Sequence, residues 1–319
     1  MIYFNRKTIL AALILSGIVI IILSVTQSFK GSGNSSRLEY QADTTFLNKP
    51  YKLPETVNFA GEKMPLENFD TRESLEREIL TSAYRHSSTI LIIKRANRYL
   101  PVIEKMLRKN DIPDDFKYLA AAESEYSNMI SPAGATGFWQ IMQATGIEQG
   151  MEINSVVDER YDVEKSTQFA CDYFRKSYER YGNWTLAAAS YNGGRAAIDE
   201  QIEIQGQNNY YDLLLSEETA RYIFRAVAYK LVISDPSSYG FVIEDDDLYP
   251  ELKYREVKVD TAIANFSKFA EQFGTNYKMF KFLNPWLRKP YLTPKPNKEY
   301  IIRIPEEGMR NTESPEPES

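Results

Sequence analysis

Between Thr71 and Ser234 apolar residues recur three, four and seven positions apart, and this spacing restricts what the sequence can fold into more than any other feature. Leu75, Ile79 and Leu80, then Ile90 to Ile93, Tyr99, Ile103 and Leu107 mark a helical run from Thr71 to Asn110. Asn110-Asp111-Ile112-Pro113 ends that run and opens another, because proline is tolerated in a first turn and Asp114 and Asp115 suit the positive end of a helix dipole. The next helix covers 114 to about 128. A glycine-rich turn follows from Ser131 to Gly137, and helical segments are expected near 138–146, 162–181, 184–192, 195–205 and 216–233. The middle of the chain should be all-α.

The two ends differ from it. Beyond Ser234-Asp235-Pro236, Lys253 to Val259 and Tyr300 to Ile304 alternate as short strands around a helical stretch, Ala262 to Phe273, which predicts a small α+β module. At the N-terminus Arg6 and Lys7 precede the uncharged run Ile9 to Val25. As a helix this run is about 26 Å long, close to a bilayer core of about 30 Å. The basic residues hold their side in the cytoplasm, so a signal anchor sends the remainder outward. A cleaved signal peptide ending near Thr26-Gln27-Ser28 is the alternative. The expected organisation is an anchor over 1–27, a Gly/Ser/Pro-bearing tether over 28–70, a helical domain over 71–245, the module over 246–305 and a disordered tail over 306–319.

Composition removes much chemistry. With one cysteine, Cys171, and one histidine, His86, the chain has no intramolecular disulfide and no thiolate metal cage, and a Ser/His/Asp triad would need His86 itself. Its 38 basic against 44 acidic residues give a net charge of −6, and no Lys/Arg cluster is placed to neutralise phosphates, so nucleic acid is not an expected partner. Carboxylate chemistry remains. In the helix that starts at Asp114, Phe116, Leu119, Ala120 and Glu123 fall at i, i+3, i+4 and i+7 and share one face, which puts Glu123 on the apolar stripe. Burial and the negative pole of the helix both favour its protonated form, as a general acid requires. The same spacing also suits a core-edge glutamate paired with an arginine. Glu125, about 200° further round the helix, is expected to face solvent. Asp158, Asp162 and Glu218 are candidates for a second carboxylate, and spacing does not choose among them.

Four blocks in order carry a resemblance. Glu123-Ser124-x-Tyr126 with Ser131, Gly134-Ala135-x-Gly137-Phe138-Trp139-Gln140-Ile141-Met142, Ala187-Ala188-Ala189-Ser190-Tyr191-Asn192-Gly193-Gly194 and Glu218-Thr219-x-x-Tyr222 resemble the soluble-lytic-transglycosylase-like domain over roughly residues 75 to 235. With its tether and module, the chain is similar to membrane-bound lytic murein transglycosylases of the D type. The resemblance implies a lysozyme-like all-α fold with a groove for peptidoglycan strands, and a location on the inner membrane facing the periplasm. It makes Glu123 the single catalytic acid/base. Ser124 and Ser131 become groove hydrogen bonders, Gln140 and Met142 line the site, Tyr191 and Asn192 face the scissile sugar, and Glu218 lies across from Glu123. Neither a metal nor an organic cofactor is implied.

The mechanism implied is cleavage of the MurNAc–GlcNAc bond with the sugar's own 6-hydroxyl as nucleophile, which leaves 1,6-anhydromuramoyl ends. A peptidoglycan or chitin hydrolase of the same fold and an inactive wall-binding anchor are the alternatives. Val257 to Pro305, with Leu283-Asn284-Pro285 and Ile302-Arg303-Ile304-Pro305, resembles a LysM glycan-binding repeat, although the usual Gly-Asp-Thr-Leu opening is reduced to Asp260-Thr261-Ala262-Ile263. A packing or spacer role for this module is the competing expectation.

Overall fold

A computed structural model describes residues 50–309. The expected anchor, the first part of the tether and the end of the tail lie outside the described residues. Among the described residues no helix is long and apolar enough to cross a membrane.

The chain is mainly α-helical. In order, a small hairpin pairs β1 (Asn58–Phe59) with β2 (Glu62–Lys63), followed by α1 (Phe69–Tyr84), α2 (His86–Lys109), α3 (Lys117–Ser124), α4 (Gln143–Glu148), α5 (Val163–Tyr181), α6 (Trp184–Gly193), α7 (Arg195–Gln205) and α8 (Glu217–Ser234). The single helical run expected over 71–110 is two helices, because the chain turns at Arg85 (ψ 51°). Helix α3 is short and central. Phe116, Leu119, Ala120 and Ala121 have no exposure, and α8 packs along α1, α3 and α6. Local caps agree with this layout: Asp162 accepts from the amides of Glu164 and Lys165 to start α5, Asn183 caps α6, and Gly182 ends α5 in the left-handed region.

The boundary expected at residue 70 is corrected. Residues 50–68 are not tether, because Leu53, Val57, Phe59, Met64 and Leu66 are buried in the same core as Leu75 and Phe116. Two carboxylates fix the segment there. Glu62 accepts from the amides of Trp184 and Thr185 and from the Thr185 hydroxyl, at the positive end of α6. Asp115 accepts from Ala60 N at 2.8 Å and pairs with Lys230 at 2.7 Å. Sequence periodicity missed this segment because its buried residues belong to irregular chain.

The C-terminal module pairs β3 (Tyr254–Val259) antiparallel with β4 (Tyr300–Pro305), and α9 (Phe266–Glu271) and α10 (Tyr277–Leu283) lie between them in sequence. Its core of Phe266, Phe280, Trp286, Leu287 and Ile302 also takes in Val157 and Tyr161 from the helical body. Asp158 N donates to Trp286 O and Arg288 N to Val156 O, so backbone joins backbone across the seam. Charges join it too. Arg303 pairs with Asp162 at 2.8 Å, and Lys298 pairs with Glu152 at 2.7 Å and with Glu159 at 2.9 Å. Asp158 and Asp162, read from sequence as possible second carboxylates of a site, are therefore structural. Asp158 holds Arg160 through two hydrogen bonds, and Asp162 both caps α5 and pairs with Arg303.

Removing one partner of a buried pair leaves the other charge desolvated. Arg303→Ala should lower unfolding stability by about 3 to 5 kcal/mol, read as a shift in the urea midpoint, whereas Lys258→Ala, in an exposed pair with Glu299, should leave the midpoint where it is in the parent.

Candidate active site

Glu123 stands one residue before the end of α3, where the helix stops because Glu125 and Tyr126 both adopt left-handed backbone (φ 53° each). Tyr126 is fully buried and donates its hydroxyl to Lys117 O, which locks the reversal. The tyrosine of Glu123-Ser124-x-Tyr126 thus acts as a wedge in the core. Glu123 is only partly exposed, and burial pushes its carboxyl up to about 7, with the negative charge of Glu218 adding to the rise. A hydrogen bond from the Tyr222 hydroxyl at 2.7 Å and the Arg225 charge act in the opposite sense. Desolvation wins.

The groove beside Glu123 is a cavity of about 310 Å³ between α1 and α8, lined by Glu78, Arg85, Glu125, Met129, Arg221 and Arg225 among others. Glu78 is buried and binds Arg221 at 2.7 Å, Arg77 at 3.3 Å and Arg225 at 3.6 Å. The expectation that Glu125 faces away into solvent is corrected. The 200° separation assumes continuing helix, but the helix has ended, so Glu125 lines the groove and pairs with Arg85 at 2.7 Å.

The glycine-rich segment after α3 is built as a tight double reversal in which Thr136 bridges to Ile130 and to Ile141. Gly137 has φ +84°, and a Cβ there would collide with the Arg160 carbonyl, so only glycine fits. Arg160 also donates to Gly134 O and Ile141 O, which fastens the loop to the seam with the module. Trp139 is wholly buried with its indole N–H on Thr167, so it is core and not a sugar platform.

The sequence candidates divide into two groups. Burial, and to a lesser degree the Glu123 charge, push the Tyr191 hydroxyl well above its ordinary value, and that hydroxyl donates to Trp139 O at 2.7 Å. Asn192 donates to Glu218 at 3.3 Å and accepts from Thr219, so the ends of α6 and α8 converge beside the acid. Ser124 belongs to the second group. It borders the groove but is 1% exposed, and its hydroxyl donates to Phe138 O and Ala120 O, so it ties α3 to the glycine-rich loop. Ser131 accepts from Ala135 N within its own turn, Gln140 donates to Gly137 O and Met129 O, and Met142 is exposed ahead of α4. These residues hold or flank the loop. Tyr222 closes the Glu218-Thr219-x-x-Tyr222 block, and its role appears only in the fold. The i, i+4 relation to Glu218 signals a shared helix face, whereas its partner 99 positions away does not follow from spacing.

The remaining reactive types sit elsewhere. Cys171 is buried and its thiol is pushed up to about 12 by burial, and His86 packs edge-on near Tyr84 and Phe241. Among the described residues no group of three or more His, Cys, Asp or Glu is arranged to hold a metal ion.

Comparison with known proteins bears on this site. Residues 101–214 match the transglycosylase SLT domain, and residues 255–308 match the soluble lytic transglycosylase C-terminal LysM-like domain. Membrane-bound lytic murein transglycosylase D of Escherichia coli K12 is 24% identical over 233 residues, covering 69% of this chain and 51% of the relative. The protein of the same name from Escherichia coli O6:H1 (CFT073) matches with the same figures. The chain thus spans about half the length of the curated relatives it matches. Among solved structures, the 70 kDa soluble lytic transglycosylase SLT70 from Escherichia coli aligns with a TM-score of 0.38 at 17% identity, covering 55% of this chain and 31% of that one.

A carboxyl that favours its protonated form in the fold adds stability below the unfolded-state value of about 4.3, and that contribution is lost as pH rises through about 7. Glu123→Gln should therefore unfold later than wild type at pH 8, by about 2 to 4 kcal/mol, with the gap closing by pH 4. Tyr222→Phe removes a bond to the charged form, so the Glu123 carboxyl resonance in a ¹³C NMR titration should shift at higher pH than in wild type.

Proposed function

We propose that this chain, SLT-type in its helical body and LysM-like in its C-terminal module, is a peptidoglycan lytic transglycosylase in which Glu123 is the only acid/base. The observation that carries the reading is a single carboxyl pushed up to about 7 in a groove within the SLT-matching segment. Near neutral pH such a group divides between its acid and base forms, so one residue can serve both halves of a reaction.

In the proposed reaction a glycan strand lies in the groove with its scissile bond at Glu123. The protonated carboxyl gives its proton to the glycosidic oxygen as the C1–O bond breaks, and the muramic N-acetyl oxygen supports the developing positive charge. The C6 hydroxyl of the same sugar then attacks C1 and returns its proton to the Glu123 carboxylate, restoring the enzyme. No water is consumed. The intramolecular nucleophile competes through its high effective concentration, and the product is a 1,6-anhydromuramoyl end. Tyr222 orients the carboxyl, Tyr191 ties the end of α6 to the glycine-rich loop through the Trp139 carbonyl, and Glu218 with Asn192 contacts the sugar across the groove. Ser131, Gln140 and Met142 act by shaping the 131–142 loop. The name of the relatives and the Ile9–Val25 run support a membrane-tethered, periplasmic protein.

Glu123→Gln keeps the shape of the side chain and removes the transferable proton, so cleavage of sacculi should fall by a factor on the order of 10² to 10⁴ while glycan binding persists. Mass spectrometry of wild-type digests should show ends one water lighter than reducing ends. Reducing ends would replace this reading with a hydrolase, and unchanged cleavage by Glu123→Gln would remove the residue from its role.

A further inference from the structure

The groove at Glu123 holds donors that the proposed reaction leaves unused. Three guanidinium groups line it, from Arg85, Arg221 and Arg225. Two are committed, because Arg85 pairs with Glu125 at 2.7 Å and Arg221 binds Glu78 at 2.7 Å. Arg225 is not. Its Nε lies 3.6 Å from Glu78, beyond hydrogen-bond length, and Glu78 already accepts from Arg221 and Arg77. The terminal nitrogens of Arg225 make no hydrogen bond among the described residues, and its side chain is 28% exposed, so the fork is open to a ligand in the groove.

Tyr229, one turn further along α8, supplies a second donor. It is 3% exposed and lines the same groove, and its hydroxyl has no hydrogen-bond partner among the described residues. Residues 225 and 229 stand at i and i+4, so guanidinium and hydroxyl share one face of the helix. A polar group taken from water is costly until something meets it.

The charges decide what that partner is. Glu125 and Glu78 are neutralised by Arg85 and Arg221, and Glu218 lies outside the lining and accepts from Asn192. Glu123 is uncharged in the form that gives up its proton. In that form Arg225 is the cation of the groove wall left without an anion. A planar guanidinium fork beside a hydroxyl matches the two oxygens of a carboxylate. Strands of N-acetylglucosamine alone have no carboxylate. Every muramic acid carries a lactyl ether that ends either in a free carboxylate or in a peptide that bears one.

We propose that Arg225 and Tyr229 form a carboxylate subsite of the Glu123 groove, which reads the lactyl substituent of a muramic acid unit and selects such strands over chitin. The inference rests on the peptidoglycan reading above and adds to it the group by which the substrate is told apart.

Calorimetric titration of full-length Glu123→Gln tests this, because that variant holds ligand without turnover and removes any effect of Arg225 on the acid. The probes are chitotetraose, a GlcNAc–MurNAc tetrasaccharide with free lactyl carboxylates, and the same tetrasaccharide bearing stem peptides. At least one carboxylate probe should bind tighter than chitotetraose by about tenfold or more, the worth of a hydrogen bond to a charged group, and added salt should narrow the gap. In the same background Arg225→Gln should remove the preference and Tyr229→Phe should reduce it, with chitotetraose affinity unchanged. Methyl esterification of the preferred probe should remove it as well, a control that needs no substitution in α8. A preference for the free lactyl probe assigns the subsite to that carboxylate, and a preference for the peptide probe alone assigns it to the stem peptide. Equal affinity for all probes, or a preference that survives Arg225→Gln or esterification, would overturn the subsite. Anhydro ends from wild-type digestion of sacculi are read separately, so those results would leave the enzymatic reading standing, whereas absent cleavage by wild type would sink that reading first.

Discussion

A carboxyl taken out of water at the end of a buried helix is the constraint on which the site depends. Helix α3 has almost no exposed face: Lys117, Tyr118, Leu119, Ala120, Ala121 and Ser124 are all buried. A glutamate in that helix keeps its charge only if the surroundings supply what water would. They supply one hydroxyl, from Tyr222, and a more distant guanidinium, Arg225, while Glu218 opposes both. The balance leaves the carboxyl near neutrality in its titration. Glu78 is the contrast, because it is more deeply buried in the same groove wall but is met by three arginines. Two glutamates on one cavity thus have different surroundings, ion pairs for Glu78 and a hydroxyl with little countercharge for Glu123.

Some of this was legible in the sequence and some was not, for reasons that can be located. Spacing put Glu123 on the same face as Phe116, Leu119 and Ala120, and those three have no exposure. The helices from α5 to α8 also fall within a residue or two of their expected bounds, because caps such as Asp162 and Asn183 and the stop at Gly182 are local signals. What failed was whatever depended on where a helix stops or on what meets it from far along the chain. Glu125 was misplaced because the face argument ran past the end of α3. The helix expected from 138 begins only at Gln143, because Gln140 is left-handed (φ 46°). The pairing of Tyr222 with Glu123 requires α8 to lie on α3, which no local pattern encodes.

The module shows how a polar seam can be read wrongly. Asp158 and Asp162 look from sequence like free carboxylates before a helix, which is how acid/base candidates present themselves, and Glu159 lies between them. In the fold each is met by a cation or a helix terminus, and Lys165 and Lys298 lower the Glu159 carboxyl below its ordinary value despite its burial. Paired charges of this kind contribute little net stability against an apolar seam, but each strongly opposes any arrangement that leaves one of them alone. They fix the relative placement of the two parts more than they strengthen it.

That placement reaches the acid through a short chain of contacts. The Asp158 amide donates to Trp286 O in the module, and its carboxylate holds Arg160. Arg160 grips Gly134 O and Ile141 O, the two sides of the glycine-rich loop. Within that loop, Phe138 O accepts from Ser124 and Trp139 O accepts from Tyr191. Ser124 is the next residue after Glu123. Each contact is a directed hydrogen bond that loses much of its worth when its geometry is spoiled, so the module, the loop and the acid share one frame of reference. A module that served only to hold glycan could hang on a flexible linker. The buried ion pairs, the shared core at Val157 and Tyr161, and this line of hydrogen bonds instead make the module part of the scaffold that positions the carboxyl.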